Sequence, residues 1–230
     1  MVCFRRWLSP ALILLAGAAQ PQGSSQAFPR IPATDPAEAM KTFQVHKGLR
    51  IELVASEPLI ESPVGICFDE DGRLFVVEMR GYPDRREERL GRIKLLESSK
   101  RDGHYDKATV YADHLPWPTG CLWYGGGLFV TASPDVIRFS GANGSSAADE
   151  RKTVLTGFGA GHEPLNVQGL VNGLTWGFDG RIHGTSSENG GLVARPGTND
   201  APVNVRGKDF SFDPRATDLL LENGGGQHGL

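Results

Sequence analysis

The 230-residue sequence holds three cysteines and three methionines, and it contains no Cys-x-x-Cys. A thiolate zinc site or a c-type haem attachment needs that spacing, so neither belongs to this segment. The Gly-x-Ser-x-Gly elbow, the phosphate-cradling glycine loop and the His-Glu-x-x-His pair are missing too, which removes the commonest hydrolase, nucleotide and zinc-peptidase signatures. Charge of one sign is not in excess: Lys plus Arg is 24 against Asp plus Glu 27, a formal net charge of −3. That balance argues against a nucleic-acid binder or a polybasic membrane clamp. Long apolar runs are scarce, and few stretches of ten residues escape Gly or Pro, so long helices are not expected.

The first residues read as an address rather than as fold. Arg5 and Arg6 precede an apolar core from Leu8 to Ala19, and Ala16-Gly17-Ala18 offers a small-x-small cleavage pattern. The run is shorter than the ~18 apolar residues a membrane span needs. A signal peptide over 1–18 and an exported chain, periplasmic or extracellular, are expected, with no membrane span. Residues 19–42, rich in Pro, Ala, Gln and Ser, read as a flexible lead-in. Cys3 would leave with the signal; Cys67 and Cys121 lie in apolar strand-like runs and read as core residues rather than as a disulfide.

What is abundant is glycine, 30 residues, and it is periodic. Pro63-Val64-Gly65-Ile66, Pro118-Thr119-Gly120-Cys121, Val171-Asn172-Gly173-Leu174 and Gln227-His228-Gly229-Leu230 recur about every 55 residues. In the first three units a second glycine follows seven residues later, at Gly72, Gly127 and Gly180. Asp71-Gly72 and Asp179-Gly180 are turn dipeptides, and Gly125-Gly126-Gly127 serves the same purpose, so each unit opens with a β-hairpin. Further strands are expected at 92–96 and 108–111 in the first unit, and at 136–139 and 153–155 in the second. In the third unit they are expected near 192–194 and 209–212. Four strands per period describe the blade of an all-β β-propeller; a Greek-key sandwich is the alternative. The expected propeller part is 43–230, with blades starting near 63, 118, 171 and 227. About three blades are present, where six are expected in a complete ring. Leu49–Val54 alternates like a strand and is expected to close such a ring.

Ligands of propellers gather at one mouth, on loops and strand ends. Counting from each hairpin glycine, Glu78, Ser133 and Ser186 lie six residues on, and Arg80, Asp135 and Glu188 eight, a candidate polar ring. His162, in a glycine-rich loop beside Glu163, is a candidate catalytic base for alcohol oxidation. Glu78, Arg80, Asn172, Asn189 and His228 are candidate cofactor-binding residues, His228 being the fourth unit's equivalent of Asn172. The stretch 98–106 has acids at calcium-loop positions, but Lys100 and Arg101 interrupt it. No metal site is assigned.

Four segments carry a family resemblance: 43–55 (Phe43-x-Val45-His46-x-Gly48 through Ala55), 75–83 (Phe75 through Pro83), 115–120 (Leu115-Pro116-Trp117-Pro118-Thr119-Gly120) and 166–177 (Asn166 through Gly177). In combination they resemble the membrane-bound dehydrogenase-like propellers of planctomycete-type bacteria. More distantly the chain is similar to the soluble quinoprotein glucose and sorbosone dehydrogenases. That resemblance implies a six-bladed propeller holding pyrroloquinoline quinone (PQQ) with calcium at one mouth, and a sugar or alcohol substrate. It also implies electrons passed to an acceptor such as cytochrome c, or to a c-type haem domain further along such chains. The catalytic base histidine of those enzymes falls near Gly169 in this sequence, and His162 stands seven residues earlier. A non-catalytic propeller that binds polysaccharide or a protein partner is the alternative the sequence leaves open.

Overall fold

A computed structural model describes residues 31–141, 145–216 and 218–229; the signal expected at 1–18 lies outside the described residues. Residues Pro36–Leu230 form one compact unit. A short helix, α1 (Pro36–Met40), stands within the expected lead-in. No helix among the described residues is long and apolar enough to cross a membrane. Apart from a single 3-10 turn at Arg86–Glu88, the other regular elements among the described residues are β, as the broken apolar runs require.

The first sheet is a meander of β1 (Pro63–Phe68), β2 (Leu74–Glu78), β3 (Gly91–Glu97) and β4 (Lys107–Leu115), paired in that order and antiparallel throughout. The second begins the same way, with β5 (Gly120–Tyr124), β6 (Gly127–Ala132), β7 (Asp135–Ser140) and β8 (Glu150–Phe158). Its first hairpin closes at Tyr124 against Gly127, so the loop is Gly125-Gly126, both at positive φ (54° and 72°). A two-residue turn that matches the twist of its strands requires that geometry. At the first hairpin the Asp69 carboxylate accepts from the Asp71 and Arg73 backbone N–H groups at 3.0 and 2.9 Å, and from Arg73 Nε at 2.6 Å.

The third unit departs from the expected pattern. Its sheet runs β9 (Asn172–Trp176), β10 (Ile182–Thr185), β13 (Asp209–Phe212) and β14 (Leu219–Glu222). The run at 192–194, expected inside this unit, forms β11 (Gly191–Ala194) and pairs instead with β8 of the second sheet. With β12 (Val203–Asn204) it extends that sheet to six strands. Gly157 and Gly191 permit the junction: a β-carbon on either would collide with the backbone of the other strand. The strand expected at Leu49–Val54 does not form; among the described residues no strand is assigned there.

Period-two alternation sends the side chains of the second sheet into two cores. Leu128, Val130, Ala132, Ile137 and Phe139 pack with Phe75, Val77, Ile93 and Leu95 of the first sheet. Phe129, Val136 and Leu155, from the opposite face, pack with Ile182, Phe210 and Phe212 of the third. β6 is buried along its whole length because it has a core on each side. Truncating a buried phenylalanine such as Phe129 costs about 3–5 kcal/mol. On the other face of the first sheet Leu74, Val76 and Leu96 cluster with Tyr105, just before β4, and Ala55 and Ile60 pack against them.

Candidate functional site

The repeat glycines of successive units stand in file. A β-carbon on Gly65 would meet Gly120 Cα at 3.5 Å, one on Gly120 would meet Gly173 N at 3.6 Å, and one on Gly173 would meet Gly229 Cα at 2.7 Å. The period of about 55 residues therefore marks the place where neighbouring units come into contact: at Gly65 and Gly120 a β-carbon would sit at ordinary contact distance from the next unit's backbone, and at Gly173 it would collide with Gly229. The residue before each glycine ties the file together. Thr119 Oγ1 donates to the Val171 carbonyl. Asn172 Nδ2 donates to the Gln227 carbonyl at 3.0 Å, and Asn172 Oδ1 accepts from Gly229 N–H at 2.8 Å. In both cases the side chain one position before a glycine reaches the carbonyl two positions before the next one. Val64 holds that position in the first unit and has no polar atom to offer.

Beside this file lies a cleft of about 700 Å³. Val64, Ile66, Met79, Leu170 and Leu174 make its walls apolar, and Tyr82, Cys121, Gln168, Asn172 and His228 line it with polar atoms. The Tyr82 ring meets Trp117 edge-on, with centroids 5.4 Å apart. Asn172 spends its amide within the protein, donating also to the Leu170 carbonyl at 2.8 Å. Tyr82, Gln168 and His228 are exposed.

Of the candidate residues, the fold brings Asn172 and His228 to the cleft and leaves the others outside its lining. Glu78 is fully buried and accepts from Glu61 N–H at 2.7 Å and from Arg92 Nε. Arg80 pairs with Glu61 at 2.9 Å, and Arg92 lies 3.6 Å from the same carboxylate. These four form one network that fastens the segment before β1 to the end of β2. Asn189 is 2% exposed; its side-chain Oδ1 accepts from the Asn166 backbone N–H at 2.9 Å, and its Nδ2 donates to the Asn166 and Gly169 carbonyls at 2.8 and 2.6 Å, shaping the 166–169 loop. His162 sits half-buried in a turn, its N–H donating to Gly159 O at 3.1 Å.

The expected ring at offset six is buried rather than solvated: Glu78, Ser133 and Ser186 are all at most 2% exposed. Ser186 Oγ lies 2.7 Å from the Val205 carbonyl and 2.6 Å from that of Lys208. Asp135 accepts from Thr156 Oγ1 at 2.6 Å, and Glu188 from Asn166 Nδ2 at 2.6 Å. The missed cleft residues are Tyr82 and Gln168; both lie inside the family-like segments 75–83 and 166–177, which was the available signal. One further acid–histidine pair occurs at the third hairpin. His183 Nε2 lies 3.1 Å from both oxygens of Asp179, and that hydrogen bond holds the Asp179 carboxyl below the usual range.

The donor set can be set against PQQ, which carries three carboxylates, and against calcium, which takes six to eight oxygen ligands rich in carboxylate. The cleft lining contains no Lys, Arg, Asp or Glu. Among the described residues no group of three His, Cys, Asp or Glu side chains is placed to hold a metal ion. These residues do not fit that pair of ligands.

Residues 35–230 match a family model described as a domain of unknown function, DUF7133. The chain belongs to that family. No curated protein matches it. Among solved structures, a luciferin-regenerating enzyme is similar over 71% of this chain and 46% of its own length, at 10% sequence identity and a TM-score of 0.41. This member of the DUF7133 family thus spans about half the length of that enzyme.

Proposed function

We propose that the chain is part of a β-propeller, its three sheets acting as blades, and that its cleft binds a neutral carbohydrate without oxidising it. Four-stranded antiparallel meanders at a fixed period, with first strands in file, support the propeller reading. The observation that carries the binding reading is the cleft lining. An exposed aromatic ring, Tyr82, stands with the amide of Gln168 and the imidazole of His228 on apolar walls that carry no full charge. Sugars are bound by such a combination, a ring for the apolar face and uncharged groups for the hydroxyls.

The dehydrogenase expected from the resemblance needs a base near Gly169. Gln168 is the polar cleft residue there, and an amide does not take up a proton in that role. Titration calorimetry of the full chain against a panel of neutral oligosaccharides tests the proposal. Saturable binding that Gln168→Ala and Tyr82→Ala each weaken about tenfold is expected, with no dye reduction on adding PQQ and calcium. Absence of glycan binding across the panel, or sugar-dependent dye reduction, overturns it.

A further inference from the structure

Cys67 on β1 and Cys121 on β5 are free, yet their sulfurs lie 3.2 Å apart, with the Cys121 thiol donating toward Cys67. They belong to first strands of neighbouring sheets, 54 residues apart in sequence. A disulfide needs sulfurs at about 2.05 Å, so closure requires a relative movement of just over 1 Å. Cys121 lines the cleft, and Cys67 is only partly buried.

We infer that Cys67 and Cys121 form a reversible dithiol–disulfide pair that staples the first two sheets beside the cleft. The oxidant is a small-molecule disulfide, and the step is exchange. Cys67 gives up its proton and attacks one sulfur of the oxidant, releasing one thiol and leaving a mixed disulfide. The Cys121 thiolate then attacks the Cys67 sulfur and releases the second thiol. Two protein thiols are oxidised, the oxidant is reduced to two thiols, and two electrons pass between them. The order follows from access and from the hydrogen bond. Cys67 is the acceptor and the more exposed residue, while the bond to Cys67 and, after it, burial push the Cys121 thiol well above its ordinary range. Cys121 is therefore the resolving thiol. This inference is independent of the carbohydrate reading, since it rests on the two sulfurs alone.

The test equilibrates the full chain with oxidised and reduced glutathione at a series of ratios. Samples are acid-quenched, alkylated in denaturant, digested and examined by mass spectrometry. A peptide pair joined through Cys67 and Cys121 is expected to accumulate under oxidising ratios and to disappear with dithiothreitol. The oxidised protein should melt roughly 5 °C or more above the reduced protein. Cys67→Ser should abolish that shift and leave Cys121 unglutathionylated, whereas Cys121→Ser should trap the mixed disulfide on Cys67. Both thiols remaining free, or carrying separate mixed disulfides, across all ratios overturns the pair. Rapid glutathionylation of Cys121 in the Cys67→Ser protein overturns the order of attack.

Discussion

Asn172 holds the backbone of Gly229 at 2.8 Å through its side-chain oxygen while its nitrogen donates to the Gln227 carbonyl at 3.0 Å. The amide thus grips the chain on both sides of His228, and so positions the one imidazole of the cleft. Asn172→Ala should cost about 1–2 kcal/mol, because three partners lose a hydrogen bond at a half-exposed site where water replaces part of it. Asn172→Asp keeps the acceptor for Gly229 N–H but turns an oxygen toward the Leu170 and Gln227 carbonyls. It should therefore be the more destabilising of the two at pH 7. Urea denaturation of the three proteins gives the ranking; equal midpoints for Asp and Asn would mean the donor side contributes nothing.

The glycine file makes a sharper distinction. Gly173 has φ +69°, and an added β-carbon would stand 2.7 Å from Gly229 Cα; Gly180 has φ +77° and open space around it. Both pay for a left-handed conformation when changed to alanine, about 1–2 kcal/mol. Only Gly173→Ala must also push a neighbouring backbone aside, adding about 1–3 kcal/mol. Denaturation midpoints should order as wild type, then Gly180→Ala, then Gly173→Ala.

Much of the fold was legible because Gly65, Gly120, Gly173 and Gly229 recur at matching places in successive units. At Gly173 the positive φ and the approach of Gly229 exclude a side chain; at the others the recurrence itself is the signal. The pairing of β11 was not legible, because Gly191–Ala194 is equally apolar whether it bonds to β10 or to β8. The choice is made by the Gly157–Gly191 approach, between residues far apart in sequence. β14 was missed for a related reason: Leu219–Leu221 is half-exposed at a sheet edge and lacks the alternation of a strand with one buried face. At the site, Glu78 and Asn189 carry the residue types of ligand binders, and only the packing reveals that their polar atoms are spent on Arg92, Glu61, Asn166 and Gly169.

Glu78 offers a test of that conclusion. Its carboxylate is fully buried and meets Arg92 and the Glu61 N–H. Glu78→Gln keeps an acceptor for Glu61 and removes the charge facing Arg92, so a loss of about 2–3 kcal/mol is expected, with the cleft's ligand affinity unchanged. Glu78→Ala should cost more, about 3–5 kcal/mol, since both partners are abandoned. A Glu78→Gln protein of wild-type stability that binds ligand poorly would place the residue in recognition instead.

Acid sensitivity should be traceable to the turn before β14. Arg215 donates to Asp213 through Nε at 2.8 Å and a terminal nitrogen at 2.7 Å, and its backbone N–H adds a third bond at 2.9 Å. These bonds hold the Asp213 carboxyl down to about 2, against 3.8 for the free side chain. A carboxyl depressed in the folded state binds its proton more readily when unfolded, so its contribution to stability is present above about pH 4. It is lost as the pH falls from about 4 through 2. Carboxyl-carbon NMR should find Asp213 titrating near 2 in the folded chain. Arg215→Ala should bring that titration back toward 3.8 and flatten the stability profile between pH 4 and 2; a profile unchanged by the substitution would remove this ion pair from the acid response.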